Sequence, residues 1–405
     1  MLKARKLIIF TIVLTISLSG CGKGILPNRM EISDLMMISA AGVDKDPNDP
    51  NNICVTIISK KNSDGQNGKS AGGEGSAKSV ILSNEAETFN KAIHDFQTSS
   101  DKQMFWGHVE YYLFGEEAAK DGIAKYLDFL ARDHEIRGNA RIYVIEGTTA
   151  KEFIEKSSTG EYFMPDRLKA IGENSRQVAG SQELELFQFM QWLNNKYSCA
   201  AVPSLNLKPK TKEKKEGEES AMDIDLGGYS IFKDLKLVST IDKQMTRGEN
   251  FLLNRVITGV IQVKDPEGNM VGLEIIDTNT KIKPKFEKGE LKQINIKVKL
   301  SSNIGEVHST SSIFTKDIIN FMTNEQSKVI KDEIEKVISR AKENNTDFIN
   351  IANVIETKHP VKWVKYKDRW DQIFPELPII VDVESKINRT YDIREPNGVV
   401  EEEHK

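Results

Sequence analysis

The sequence predicts an α+β protein: a mixed α/β chain of two to three compact subdomains, with an antiparallel strand-rich second half and a long helix near 316–342. Three observations predict it. Up to Leu205, short apolar runs alternate with segments of helical period, the pattern of strands interleaved with helices. Lys208 to Ser220 then contains no apolar side chain beyond a proline and reads as a solvated linker or long loop. After it, strand-like runs bounded by turn clusters dominate until one long amphipathic stretch begins at Lys316.

Taken in order, Leu35 to Val43 and Ile53 to Ser59 are β-branched and apolar and read as strands, joined by the Asp/Pro/Asn cluster Asp44 to Asn52. Residues 60–79 turn to Gly, Ser, Asn, Gln and Lys, too little apolar surface to order themselves, and so form a flexible loop inside the domain. Asn84, with Glu87 at the capping-box offset, opens a helix with Ala86, Phe89, Ile93 and Phe96 on one face. Met104 to Phe114 reads as an aromatic strand with an irregularity at Gly107-His108. A helix burying Ala119, Ile123, Tyr126, Leu127 and Leu130 follows, then a strand over Ala140 to Ile145. Thr149 and Glu152 cap the next helix, and Glu183 to Leu193 forms another. The first domain thus spans 31–205, and 206–221 is the charged linker.

The C-terminal region, 222–395, is expected to hold one or two subdomains. Tyr229 to Phe232 and Leu235 to Ile241 flank the turn Lys233-Asp234. Thr258 to Val263 and Met270 to Ile276 flank Asp265 to Asn269, and Thr280 to Phe286 and Leu291 to Leu300 flank Lys288-Gly289. Ile294, Ile296, Val298 and Leu300 alternate with polar residues, as in a sheet with one wet face. The long helix runs from Lys316 to Lys342, its stripe apolar apart from Gln326 and Glu333. Leu377 to Val383 is a last strand, and 396–405 is an acidic tail.

The N-terminus carries the clearest functional pattern. Lys3, Arg5 and Lys6 precede the apolar run Leu7 to Leu18, which is shorter than the roughly 20 residues needed to cross a bilayer core. Leu18-Ser19-Gly20-Cys21 then spells a small-residue cleavage site ending in cysteine, which resembles the bacterial lipobox. The expectation is a signal peptide over 1–20, cleavage between Gly20 and Cys21, a diacylglyceryl group on the Cys21 thiol, and a tether over 21–30. Two acyl chains suffice for stable anchoring where one is marginal. Losing Lys3, Arg5 and Lys6 moves the net charge from −4 to −7, a balance that argues against nucleic acid as a partner. Cys54 and Cys199 could pair, but sequence alone does not bring them together; the apolar setting of Cys54 favours a free thiol.

Catalytic chemistry finds no foothold. The six histidines occur in no His-Glu-x-x-His or Cys-x-x-Cys spacing, so no metal is expected, and no nucleophile elbow or phosphate loop is present. No catalytic residue and no cofactor are assigned. The aromatic runs Met104-Phe105-Trp106 and Tyr111-Tyr112 read as core.

A family pattern does emerge. Gly107 to Ala118, Gly122-Ile123 and Leu127 to Asp133 resemble the signature of the Ger(x)C family, the C-subunit lipoproteins of spore-germination receptors. Glu31-Ile32, Gly42-Val43-Asp44, Arg137, Gly228 to Lys233, Asp347, Pro360 to Trp363, Trp370 and Ile387 to Arg389 follow in the family's order. Departures are Gly22-Lys23 where Trp-Asp is common, Asn350 and Ala352 where glycines are usual, and Tyr391 near another usual glycine. The resemblance implies a non-enzymatic receptor subunit on the outer face of the spore inner membrane, with membrane-embedded A and B subunits as partners and three mixed α/β subdomains. On that resemblance, Gly107, His108, Asp128, Arg132, Asp133 and Arg137 form a candidate partner interface. The alternative reading is the solute-binding lipoprotein of a transporter, with two similar lobes around a ligand cleft.

Overall fold

A computed structural model describes residues 34–61, 79–158, 163–194, 197, 199–209, 222–308 and 315–390. Gly20, Cys21, the tether, most of the 60–79 loop, most of the charged linker and the acidic tail lie outside the described residues.

The first unit is built on a mixed sheet. Strands β1 (Leu35–Lys45) and β2 (Ile53–Lys60) pair antiparallel, and β3 (Ser79–Ala86) continues the pairing from Lys60↔Ser79 to Ile53↔Ala86. The expected helix start at Asn84 is therefore corrected. Asn84 is held in the ladder opposite Val55, and the Ser83 hydroxyl meets Thr56 at 2.9 Å. Helix α1 (Phe89–Thr98) is entered instead at Thr88, whose side chain accepts from the Lys91 N–H. The aromatic run splits into β4 (Gln103–Phe105), a 3-10 turn at Trp106–His108 and β5 (Tyr111–Gly115). The next helix also divides, into α2 (Glu116–Asp121) and α3 (Ala124–Arg132), because Gly122 takes φ +121°, a conformation that ends a helix and suits glycine. All five of its expected inward residues are buried.

There follow β6 (Arg141–Ile145), α4 (Ala150–Ser157) capped by Thr149 as expected, α5 (Met164–Ser175), the short β7 (Leu184–Glu185), α6 (Leu186–Asn194) and β8 (Ala200–Pro209). Helix α5 and strand β8 were not anticipated. β9 (Met222–Lys233) and β10 (Lys236–Ile241), read from sequence as part of the C-terminal region, complete this same sheet, whose order is β10-β9-β8-β6-β5-β1-β2-β3. The charged stretch thus joins two paired strands, Pro209 standing opposite Met222. β1, β5, β6 and β8 run parallel, as the intervening helices require. On one face Tyr112, Phe114, Ile142 and Val144 meet α1, α2, α3 and α6. On the other, Tyr111, Leu113, Tyr143 and Ile145 meet α4 and α5. Burying each such side chain contributes about 1.5–3 kcal/mol.

The second unit begins with α7 (Thr246–Leu252) and contains β11 (Val260–Lys264), β12 (Met270–Glu287) and β13 (Glu290–Val307) in antiparallel order. β14 (Ile379–Thr390) joins β13 parallel, at the end of an otherwise antiparallel sheet. The connection between them contains α8 (Lys316–Glu343), α9 (Ile351–Lys358), α10 (Pro360–Trp363) and α11 (Trp370–Ile373), and such a crossover carries the chain back to the same sheet end. α8 lays Met322, Ile330, Ile334, Val337 and Ala341 over the alternating apolar residues of β13. Its polar exceptions are satisfied: Gln326, fully buried, exchanges hydrogen bonds with Ser302, and Glu333 receives the Arg247 guanidinium. The two units share a core, since Ala201, Tyr229, Ile231 and Ile241 of the first sheet pack with α7 and α8 residues.

Gly248 lets α7 approach the α8 backbone: a Cβ there would stand 2.6 Å from the Glu333 carbonyl oxygen. Gly248→Ala should lower stability by about 1–3 kcal/mol, read as an earlier urea midpoint with an unchanged slope.

Candidate functional site

The parallel strands β1, β5 and β6 end together, and their carboxyl ends open into a cleft of about 810 Å³ between Asp44–Pro50, Glu116–Lys120 and Gly147–Glu152. Ligands commonly bind at such strand ends, so its groups are the first to weigh. Asp44, 4% exposed, accepts from Ala150 N–H at 2.8 Å and Lys151 N–H at 2.9 Å, capping α4 from 106 residues away. Burial pushes its carboxyl up, against the pull of those two donors. Gly115 makes the cap possible, since a Cβ there would fall 2.0 Å from Asp44 Oδ1. Glu116 accepts from Gly147 N–H and pairs with Lys120 at 2.8 Å; Glu152 is bound by Thr148 and Lys156. These carboxylates are committed to holding the loops. Among the described residues no group of three His, Cys, Asp or Glu side chains is placed to hold a metal ion.

The six candidate interface residues lie on and beside α3. Asp128 and Arg132 form an exposed ion pair at 2.9 Å across one helical turn. Asp133 caps the following turn by accepting from Glu135 N–H, and Arg137 is exposed beyond it. His108 is exposed with Glu110 at 3.7 Å, while Gly107 is buried beneath the Phe105 ring, which a Cβ would meet at 2.8 Å. Phe89 links the two groups from below, stacking on Phe129 and meeting Trp106 edge-on. Among the described residues His108 pairs with Glu110 rather than with α3. Gly107 is a packing residue; the other five present polar groups at the surface or turn.

Sequence reasoning missed the junction between the units, where polar groups are buried. Tyr229 of β9 donates to Asn250 Oδ1 at 2.9 Å and accepts from Gln182 N–H at 2.7 Å, and Asn250 donates to the Ala179 and Gly180 carbonyls. Beside them Glu249 is fully buried, and neither carboxylate oxygen has a hydrogen-bond partner among the described residues. Burial pushes its carboxyl up to about 7, with Arg255 drawing it back. Asp347 forms a second node. It accepts from Ile351 N–H (2.9 Å), Ala352 N–H (2.7 Å) and Trp370 Nε1 (3.0 Å), and burial still pushes it up to about 7. Lys233 of β9 reaches the Asn345 carbonyl and Asp371 across the same junction. Cys54 and Cys199 are both buried and free.

The chain matches the profile for the spore germination protein N-terminal domain over residues 28–207 and that for the spore germination B3/GerAC-like C-terminal domain over 227–391. The chain belongs to the Ger(x)C family. It is 24% identical to spore germination protein KC of Bacillus subtilis (strain 168) over 402 residues, 96% of this chain and 97% of that protein. It is 24% identical to spore germination protein B3 of the same organism over 323 residues, covering 77% and 81% respectively. The crystal structure of the GerBC protein shares the fold, with a TM-score of 0.55, 19% identity, and 86% and 96% coverage. Asp44, Gly115, Asp347 and Trp370, among the residues on which the resemblance was drawn, supply the caps and clearances just described. The C-terminal profile begins inside β9, so the boundary between profiles does not coincide with the boundary between sheets.

Two predictions follow from this geometry. An unfolded Glu titrates near 4.3, so a folded value about 7 means stability from Glu249 is full below about pH 4.3 and is lost as pH rises through 7. Glu249→Gln should therefore raise stability at pH 8 by about 1–3 kcal/mol, and flatten the stability–pH curve between those values in urea titrations. Asn350, at a usual glycine position, holds φ +67°, which asparagine tolerates and β-branched residues do not. Asn350→Gly should leave the melting temperature unchanged or raised, and Asn350→Val should cost about 1–3 kcal/mol.

Proposed function

We propose that the chain is the lipid-anchored, non-catalytic subunit of a nutrient-germinant receptor, held on the outer face of the spore inner membrane beside membrane-embedded A and B subunits. The observation that carries the reading is similarity along nearly the whole chain to a spore germination protein, in company with the lipobox at Cys21. No helix of the described residues is long and apolar enough to cross a membrane, and the lipobox supports attachment by acyl chains at Cys21. Strand-end carboxylates tied up in caps and ion pairs support a binding role over catalysis, and the polar residues around α3 are offered as a partner-facing surface. A transporter's solute-binding lipoprotein calls for two similar lobes. A large mixed sheet and a four-stranded sheet under one long helix are not such a pair.

Spores lacking the gene should fail to release core solute on exposure to one set of nutrients while still answering non-nutrient triggers. A Cys21→Ala strain should respond only partly, because tethering supplies effective concentration at weak contacts. A full response to every nutrient in the deletion strain would refute the receptor assignment.

A further inference from the structure

One surface of the second unit departs sharply from the acidic balance of the chain. The tip of the β12–β13 hairpin, residues 281–292, and the helical run 358–369 together carry ten Lys and Arg against three carboxylates, a net +7 in a chain of net −4. The helical run packs against the hairpin at Ile282 and Phe286, while Lys281, Lys283 and Lys285 alternate with these residues and flank the tip on its other face. Lys358 Nζ donates to the Ile282 carbonyl at 2.7 Å, Lys362 Nζ stands 4.0 Å over the Phe286 ring, and Lys365 pairs with Glu290. Tyr366 accepts from Leu291 N–H at 2.9 Å. From beneath, Trp363, Tyr366 and Trp370 are buried and fix the run.

What the run turns outward is the telling part. Val361 is 87% exposed, more than any other large apolar side chain among the described residues, and Val364 is 61% exposed. They lie three apart, on the same side of a helical turn, with Lys362 and Lys365 exposed between and beside them. A lone exposed valine is unremarkable. Two valines at the crest of a basic surface match an interface that is apolar below and anionic above: branched carbons enter the headgroup boundary while lysine stems reach back to phosphate oxygens.

We propose that this tip docks on an anionic lipid surface, the valines inserting at the headgroup level and the surrounding lysines pairing with lipid phosphates. Charge complementarity selects this occupant: anionic lipid attracts each nearby lysine, by a factor of about five in partitioning. The proposal deepens the membrane-anchored reading, yet it is testable without the anchor.

The test uses the mature chain from residue 21 as Cys21→Ser, which cannot be acylated, in co-sedimentation with vesicles of phosphatidylglycerol or of phosphatidylcholine. Binding is expected to the anionic vesicles alone and to vanish near 0.5 M salt, where screening falls to a few Å. The pair Lys288→Gln and Lys362→Gln should weaken it about 25-fold, fivefold for each lysine. The pair Val361→Ser and Val364→Ser should weaken it too. Lys120→Gln with Lys125→Gln, on α2 and α3, should leave it unchanged. The valines are solvent-facing, so circular dichroism melts should match the parent. Equal binding to both vesicle types, no binding, or undiminished binding by the tip variants would overturn the proposal. The anchor stands or falls separately, on whether mass spectrometry finds diacylglyceryl on Cys21 in the wild-type chain.

Discussion

The arrangement of the second unit depends on one buried carboxylate. Asp347 sits between the end of α8 and the start of α9, 3% exposed, where an isolated charge would be strongly disfavoured. It persists because two helix N–H groups and an indole N–H converge on it. Those donors set the direction of α9, and the Trp370 contact sets the depth of the run that follows. Trp363 packs edge-on against Trp370 at 5.1 Å, and Trp370 against Phe374. The exposed valines and lysines thus stand on an aromatic base whose position goes back to one aspartate. Cross-junction bonds from Lys233 to Asn345 and Asp371 fix the same loop against the first sheet.

The first unit repeats the device. Asp44, at the end of a central strand, caps a helix distant in sequence, and Gly115 gives up its side chain to make room. In both units a family motif residue proves to be a carboxylate that begins a helix. Asp44 and Asp347 thus record how the chain closes on itself.

How far the sequence foretold this follows from the range of the forces involved. Strands with strict alternation, such as Ile294 to Leu300, and caps spelled locally, such as Thr149, were legible because the deciding contacts lie within a few residues. The long helix was found with its polar exceptions, although nothing local showed that Ser302 would satisfy Gln326. Failures came where distant partners decide. Ser79–Ala86 became a strand because β2 offered an unpaired edge, overriding the capping signal at Asn84. β9 and β10 joined the first sheet because β8, itself unforeseen, paired across the charged stretch. Glu249 and Tyr229 gave no sign of their burial, since the neighbour that buries them belongs to another unit. Of the six candidate interface residues, Asp128 and Arg132 form an ion pair that the sequence reading did not draw.

The acyl anchor proposed at Cys21 would fix distance from a membrane but not orientation. From Cys21 to the first described residue the chain could extend roughly 45 Å at about 3.5 Å per residue, enough for the body to present many faces to the bilayer. A second contact removes most of that freedom. The basic tip is suited to the task because its attraction is individually weak and becomes effective only once the anchor has raised its local concentration. Under the docking proposed above, the unit would stand on the lipid by the β12–β13 hairpin end, with the sheet built on β1, β5 and β6 carried by the shared core at Tyr229 and Ile231. Under this arrangement rigidity at the junction matters more than any pocket. A loose junction would let the α3 surface wander relative to the membrane, whereas the satisfied Tyr229–Asn250–Gln182 network holds both units as one lever. The buried carboxyl of Glu249 beside that network, without a hydrogen-bond partner among the described residues, works against it, and the stability it withholds near neutral pH is the cost at which the junction is kept.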